Sequence, residues 1–247
     1  MGIHQVTDSL TTKILSWWYR LTNGNKATVL KVKTEQLTYL TSRDLLNLFE
    51  TAQQVEEAKI PGMFIEAGCA LGGSAIVLGK AKAIGREFRI YDAFGMIPPP
   101  SDKDETDVHI RYEKIKSGQS KGIGGNTYYG YTENLLEVVT GNLTKHGLPP
   151  LASNIKLIQG YFEDTLYITE PVALAHIDCD WYASVMSCLL QIEPRLSVGG
   201  KLIFDDYYDW SGCRNAVDEY FHDKTGYTFN RVGRKLHVTK TADHGRP

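Results

Sequence analysis

Two apolar runs, each ending in a pair of carboxylates, constrain this chain more than any other feature. Val172-Ala173-Leu174-Ala175-His176-Ile177 has the length and residue types of a buried strand and runs into Asp178-Cys179-Asp180. Lys201-Leu202-Ile203-Phe204 does the same and runs into Asp205-Asp206. Between them, Tyr182 to about Leu196 has helical spacing, followed by a turn at Val198-Gly199-Gly200. A strand-helix-strand unit within one sheet makes its strands parallel. Both clusters then lie at the same C-terminal sheet edge, where open α/β sheets bind ligands. Four acids at one point repel each other unless a cation lies among them, and a hard divalent ion with oxygen ligands is the simplest partner. Capping is the competing explanation, since Asp180 is placed to cap the following helix.

The rest of the chain extends this unit. Ser9 to Leu21 spaces Leu10, Ile14, Trp17, Trp18 and Leu21 on one helical face, which suits packing on its own domain or an oligomer contact. Asn23-Gly24-Asn25 reads as a breaker, and Ser42 as the N-cap of a helix to about Ala58. Met63 to Ala67 is a strand. A glycine-rich turn, Gly68 to Ser74, and a helix to about Ala83 follow, and Arg89 to Asp92 is a strand closing in an acid. Glycines after a first strand let a cofactor approach the backbone, and an acid ending the second strand can accept from ribose hydroxyls. This logic serves nicotinamide dinucleotides and S-adenosylmethionine alike. Phe94 to Asn126, with Pro98-Pro99-Pro100 and the acids Asp102, Asp104, Glu105 and Asp107, shows no convincing element, which suggests a substrate lid or a solvated insertion. A capped helix is expected over Thr132 to about His146, a third strand at Asn154 to Gln159, and a helix from about Cys213 to Lys224. Tyr227 to Arg231 and Lys235 to Thr239 are close enough to form an antiparallel hairpin.

These elements predict a doubly wound, mostly parallel seven-stranded α/β sheet with a C-terminal antiparallel hairpin. Residues 1–60 form a helical extension, 61–240 the main domain with the insertion at 94–126, and 241–247 a tail. The 247 residues carry a net charge of −2, so nothing pulls the chain toward nucleic acid or anionic membrane. No stretch is apolar enough to span a membrane. Cys69, Cys179, Cys188 and Cys213 form no C-x-x-C pair, which suggests reduced thiols and a cytoplasmic protein.

With the elements placed, the sequence resembles the macrocin O-methyltransferase family from roughly Ser42 to Arg231. The resemblance is carried by Phe64-Ile65-Glu66-Ala67-Gly68 with Gly72-Gly73-Ser74, by Tyr91-Asp92-Ala93-Phe94-Gly95, and by Gly160-Tyr161-Phe162-Glu163-Asp164-Thr165. His176-Ile177-Asp178-Cys179-Asp180-Trp181-Tyr182 and Pro194-Arg195-Leu196-Ser197-Val198-Gly199-Gly200 leading to Asp205-Asp206-Tyr207 complete it. It implies a Rossmann-like class I methyltransferase fold and methyl transfer from S-adenosylmethionine to a saccharide-type hydroxyl. It further implies magnesium or manganese held by Asp178, Asp205 and Asp206. Glu66, Gly68, Ser74 and Asp92 would line the cofactor, with Asp92 on the ribose and Asp164 near the adenine. Thr41 and Ser42 would meet the methionine end. Asp178 would serve cofactor, metal and catalysis together. A homo-oligomer is implied, with N-terminal segments reaching a neighbouring site.

The related catechol-type enzymes carry a lysine base three residues after the first metal aspartate, and Trp181 stands there in this chain. Asp180 is the candidate base, with His176, His109 and His237 as other titratable groups. Trp181 and Tyr182 suit stacking on a sugar or packing in the core. Two other classes remain in view: a nicotinamide-dependent oxidoreductase, against which the irregular glycine pattern and acidic edge argue, and a non-catalytic cofactor-binding module.

Overall fold

The computed structural model describes residue 24 and residues 26–242. A helix, α1, covers residues 26–34, and α2 spans Ser42–Glu57. Then β1 (Met63–Ala67), α3 (Gly73–Ala81), β2 (Phe88–Asp92), α4 (Thr106–Lys116) and α5 (Leu135–Lys145) follow. The chain continues through β3 (Ile155–Gln159), α6 (Phe162–Thr165), β4 (Val172–Ile177), α7 (Tyr182–Ile192) and β5 (Leu196–Phe204). It closes with α8 (Ser211–Phe221), β6 (Tyr227–Val232) and β7 (Lys235–Lys240).

The seven strands form one sheet in the order β3-β2-β1-β4-β5-β7-β6. The first five are parallel, while β7 runs antiparallel to both β5 and β6. This is the expected doubly wound sheet with its terminal hairpin. From β1 the chain steps outward to β2 and β3, then returns to lay β4 on the other side of β1. The C-terminal ends of β1 and β4 therefore flank the switch point, where the connections diverge and leave a crevice. Strands β1 and β4 are buried at every position, which is why they read as apolar runs broken only by Glu66 and His176. Gly68 shows how tightly their ends meet: at φ +86° a Cβ there would lie 1.9 Å from the Asp178 carbonyl oxygen. Val29, Val32, Leu45, Leu48 and Phe49 share one core with Ala75, Ile76 and Phe88, so the N-terminal helices pack directly on the sheet's helical layer.

Several boundaries depart from expectation for local physical reasons. Gly24 is helical rather than a breaker, and α1 is anchored by the burial of Val29 and Val32, one turn apart. Thr41 caps α2, its Oγ1 accepting from the Asp44 amide at 3.2 Å, and Ser42 is the first helical residue. The cap expected near Thr132 is absent, because Asn134 sits left-handed at φ +56° and α5 starts only at Leu135. Val198 to Gly200 belong to β5 instead of a turn, with a register shift opposite Val172 to Leu174 that absorbs the glycines. The Ser9 to Leu21 helix lies outside the described residues.

The largest departure is in the insertion, where 11-residue α4 forms. Its two buried positions, Val108 and Ile115, are too few to print a helical stripe on the sequence. Asp104, just before α4, and Asp107, in its first turn, reach out to other helices. Asp104 Oδ1 accepts from the Tyr182 amide at 2.8 Å, and Asp107 Oδ2 accepts from the Ser211 amide at 3.0 Å. The insertion thus supplies donor partners at the N-termini of α7 and α8, which have no side-chain cap of their own. Asp180, expected to cap α7, instead holds a left-handed backbone at φ +59°. Asp104→Ala should lower stability by about 2 kcal/mol, since it strips a buried cap. Asp102→Ala, at an exposed site, should stay within about 0.5 kcal/mol. Urea denaturation of both variants checks this, and equal effects would remove the capping role.

Candidate active site

Parallel pairing continues one residue past the strand ends and aligns the site backbone. The Gly68 amide donates to the Tyr91 carbonyl at 2.8 Å, Asp178 to Ala67 at 2.9 Å, and Asp205 to Ile177 at 3.0 Å. Asp178 and Asp205 are thereby placed side by side on adjacent strands. One donor atom each from His176, Asp178 and Asp205 lie within 4.8 Å of one another. Asp206 stands next to this group, its Oδ2 accepting from the Asp180 amide at 3.1 Å. All four expected acids line one cleft.

Beneath them runs a buried chain of alternating charge. Glu66, in the middle of β1, accepts from the Ser74 hydroxyl and lies 3.3 Å from His176 Nδ1. His176 Nε2 is 3.7 Å from Asp205 Oδ1, an ion-pair distance too long for a hydrogen bond. On the other side of Asp205, Lys235 Nζ approaches Oδ2 at 2.6 Å and donates to the backbone carbonyl at 2.8 Å. Burial alone would lower the His176 pKa, but the Asp205 and Glu66 carboxylates on either side of the ring outweigh it and push it up to about 10. Burial raises the Asp178 and Asp206 carboxyls well above the usual range, reinforced by their acidic neighbours. Burial likewise moves Asp180 up to about 6. Asp205 goes the other way: burial would raise it, but His176 and Lys235 together hold it low.

This arrangement fits a hard cation. Glu66 Oε2, His176 Nε2 and Asp205 Oδ1 are buried with no hydrogen-bond partner among the described residues. Open carboxylate oxygens converge there, and the raised acids would ionise fully beside a divalent charge. His176 lies beside the expected ligand set, where its charge holds Asp205 ionised.

The expected cofactor residues divide. Asp92 ends β2 with Oδ2 accepting from the Cys69 amide at 2.7 Å and Oδ1 from the Phe94 amide at 2.8 Å, so it ties both flanking loops to the sheet edge. Asp92 and Gly68 line both the acidic cleft and a second, adjoining cleft. Thr41 and Ser74 line the first. Ser42 lines neither. Asp164 is exposed on α6, while its neighbour Glu163 lines the second cleft. Glu66 lies below the floor, holding Ser74 and His176.

Of the other titratable candidates, His109 is exposed on α4. His237 is buried on β7, where burial and the nearby Lys201 and His176 charges lower it to about 4. Trp181 is a core residue, its Nε1 donating to the Pro98 carbonyl at 3.0 Å. The residue chemistry that sequence reasoning missed lies on segments remote from the acids. Lys235 opens β7. Tyr39, Tyr128 and Tyr129 form an aromatic group, with Tyr128 and Tyr129 ring centroids 4.4 Å apart, and Trp210 and Arg111 complete the cleft. The Tyr128-Tyr129-Gly130-Tyr131 run was the one visible signal among them.

Sheet order, switch-point crevice and C-terminal hairpin define a Rossmann-like methyltransferase fold. The solved O-methyltransferase NovP shares it at TM-score 0.70 with 24% identity, covering 83% of each chain. The calicheamicin methyltransferase CalS11 shares it at TM-score 0.61 with 18% identity, covering 86% of this chain and 91% of the other. The macrocin O-methyltransferase family model matches residues 25–228, and the chain belongs to that family. It is 31% identical over 181 residues to 8-demethyl-8-(2,3-dimethoxy-alpha-L-rhamnosyl)-tetracenomycin-C 4'-O-methyltransferase of Streptomyces olivaceus. That match covers 70% of this chain and 63% of the relative's length. It is 28% identical over 194 residues to mycinamicin III 3''-O-methyltransferase of Micromonospora griseorubida, covering 74% of this chain and 69% of the relative. No helix among the described residues is long and apolar enough to cross a membrane.

The raised Asp180 carboxyl makes stability depend on pH. Its folded pKa of about 6 exceeds the 3.8 of a free side chain, so the folded state binds this proton more tightly. The contribution is full below the free value and is lost as pH rises through about 6. In chelator, the melting temperature should fall between about pH 5 and about pH 8, and Asp180→Asn should flatten that slope. Magnesium should raise the melting temperature more at the higher pH, where the acids are ionised. Differential scanning fluorimetry reads all three, and an equal magnesium shift at both pH values would count against cation binding here.

Proposed function

We propose that this protein is an S-adenosylmethionine- and divalent-metal-dependent O-methyltransferase acting on a hydroxyl of a saccharide or glycosylated natural product. The observation that carries the reading is the position of Asp178 and Asp180. Both line the acidic cleft and also the adjoining cleft floored by Gly68 and Asp92, so the two ligands would meet at these side chains. The relatives support the acceptor class, since two of them are named for methylating positions on glycosylated natural products.

In this reading the second cleft, with Gly160, Phe162 and Glu163, takes the adenine, and Asp92 orients the ribose. Gly68 keeps the floor clear, because any side chain there would strike the β4 end. Asp178, Asp205 and Asp206 would hold the cation, with His176 and Lys235 keeping Asp205 ionised. When bound, the cofactor supplies an electrophilic methyl and the cation supplies Lewis acidity that lowers the pKa of the acceptor hydroxyl. Asp180 accepts the hydroxyl proton on its carboxylate. It lines both clefts without being needed in the ligand set, so its carboxylate is free for the proton. Tyr39, Tyr128, Tyr129 and Trp210 offer aromatic faces and exclude water around the transfer. The insertion at 94–126 carries Arg111 and Ile115 into this wall, with Tyr128 just after it, and sets acceptor specificity.

Calorimetric titration with S-adenosylhomocysteine should show micromolar binding, and its absence with and without magnesium would sink the reading. Asp205→Asn should abolish manganese binding measured by electron paramagnetic resonance while leaving S-adenosylhomocysteine affinity within about threefold. The same variant should release S-adenosylhomocysteine at least about 100-fold more slowly on a panel of deoxysugar glycosides.

A further inference from the structure

The cleft is lined by seven aspartates and, among the described residues, by three cationic side chains: Arg111, Arg234 and Lys235. Two of the three are already neutralised. Arg234 donates to Asp209 Oδ1 at 2.9 Å, and Lys235 sits 2.6 Å from Asp205 Oδ2. Arg111 differs. No carboxylate of the described residues lies within ion-pair distance of it, although the cleft around it is acidic. A guanidinium carries five N–H donors in a planar fork, and one of them, on the NH1 nitrogen, donates to Ser120 Oγ at 2.9 Å. Its central carbon stands 5.6 Å from the Tyr128 ring centroid, a cation–π distance.

The shell that holds Arg111 is itself fixed. Ser120 and Tyr128 are both buried, and the Ser120 amide donates to the Tyr131 hydroxyl at 3.3 Å. That hydroxyl in turn donates to the Ile115 carbonyl, one turn along α4 from Arg111. A hydroxyl and an aromatic face orient the guanidinium without consuming its charge. A merely structural arginine in so acidic a cleft would gain more from a carboxylate partner. A half-buried, oriented and unneutralised fork matches a planar oxyanion bidentately.

We propose that Arg111 is an oxyanion anchor of the cleft, binding a carboxylate or phosphate carried by a ligand. This deepens the methyltransferase reading and rests on it for the identity of the ligand. Two sources of the same chemistry are available: the α-carboxylate of the cofactor's methionine end, or an acidic group on the acceptor.

The test compares the parent with Arg111→Met and Arg111→Lys by calorimetry against three probes. These are S-adenosylhomocysteine, 5′-methylthioadenosine, which lacks the amino-acid end, and inorganic phosphate. If the cofactor's carboxylate is the anion, Arg111→Met should weaken S-adenosylhomocysteine by about tenfold or more and leave 5′-methylthioadenosine unchanged. Arg111→Lys should fall between, since it keeps the charge and loses the fork. If the anion belongs to the acceptor, both nucleosides should bind unchanged, while phosphate binding seen with the parent should disappear. Unchanged 5′-methylthioadenosine affinity also certifies that the variant folds. Retention of all parent affinities would overturn the proposal, as would parallel weakening of both nucleosides, which would mark a general distortion. A parent that binds neither nucleoside would defeat the methyltransferase reading separately, and the phosphate comparison would then decide Arg111 alone.

Discussion

The structure depends on the parallel hydrogen-bond ladder that runs past the ends of its strands. Gly68, Asp178 and Asp205 each donate a backbone amide to the neighbouring strand, and Gly160 does the same to Asp92 at 3.0 Å. These bonds place the residues that follow four strands along one edge and at one height. Parallel pairing permits this because every strand reaches that edge in the same direction. Gly68 then tolerates the close approach of the β1 and β4 ends, which no side chain would allow. The acids need no loop to gather them, because the ladder does so.

Gathering carboxylates has an electrostatic cost, and the chain offsets part of it from below and from the side. His176 and Lys235 bracket Asp205, one from the strand that carries Asp178 and one from the terminal hairpin. Asp178, Asp180 and Asp206 have no such bracket, and burial pushes their pKa values up. The site is therefore charged only in part. It holds one low-pKa acid and three that a cation would bring down together, which makes the acidic edge responsive to a divalent ion rather than permanently repulsive.

The insertion is built into the same economy of charge and backbone. Asp104 and Asp107 satisfy amides at the starts of α7 and α8, so the segment that walls the cleft is tied to the helices that follow the clustered acids. At Gly212 a Cβ would lie 2.1 Å from Asp104 Oδ1, which shows how closely α8 accepts this contact. Arg111 and Ile115 of this segment line the cleft beside Tyr128 and Tyr129. Movement of this segment would have to break the buried contact of Asp104 with the Tyr182 amide.

Much of this was legible in the residues themselves. Strands β1 to β4 and the parallel order follow from short apolar runs spaced by helices, the hairpin from the short connection between its strands, and the convergence of Asp178, Asp180, Asp205 and Asp206 from two runs that end in acids. Buried parallel strands print such runs because both faces are covered. Asp92 and Gly68 were legible for the same reason, since each is the residue next to a strand end. Helix α4 was not, because a helix held by two apolar contacts and two outgoing carboxylates has no stripe. The capping alternative for Asp180 fails, since the partner of the α7 amide, Asp104, is remote in sequence. Lys235, Arg111 and the tyrosine group were likewise beyond local pattern: their meaning is the distance to an acid or a ring on another element. Local periodicity determined the sheet and its acidic edge, since side-chain burial alternates or persists along one strand. Only the tertiary structure decided which charges are neutralised and which cation is left to meet a ligand, because pairing depends on space between segments that the sequence keeps apart.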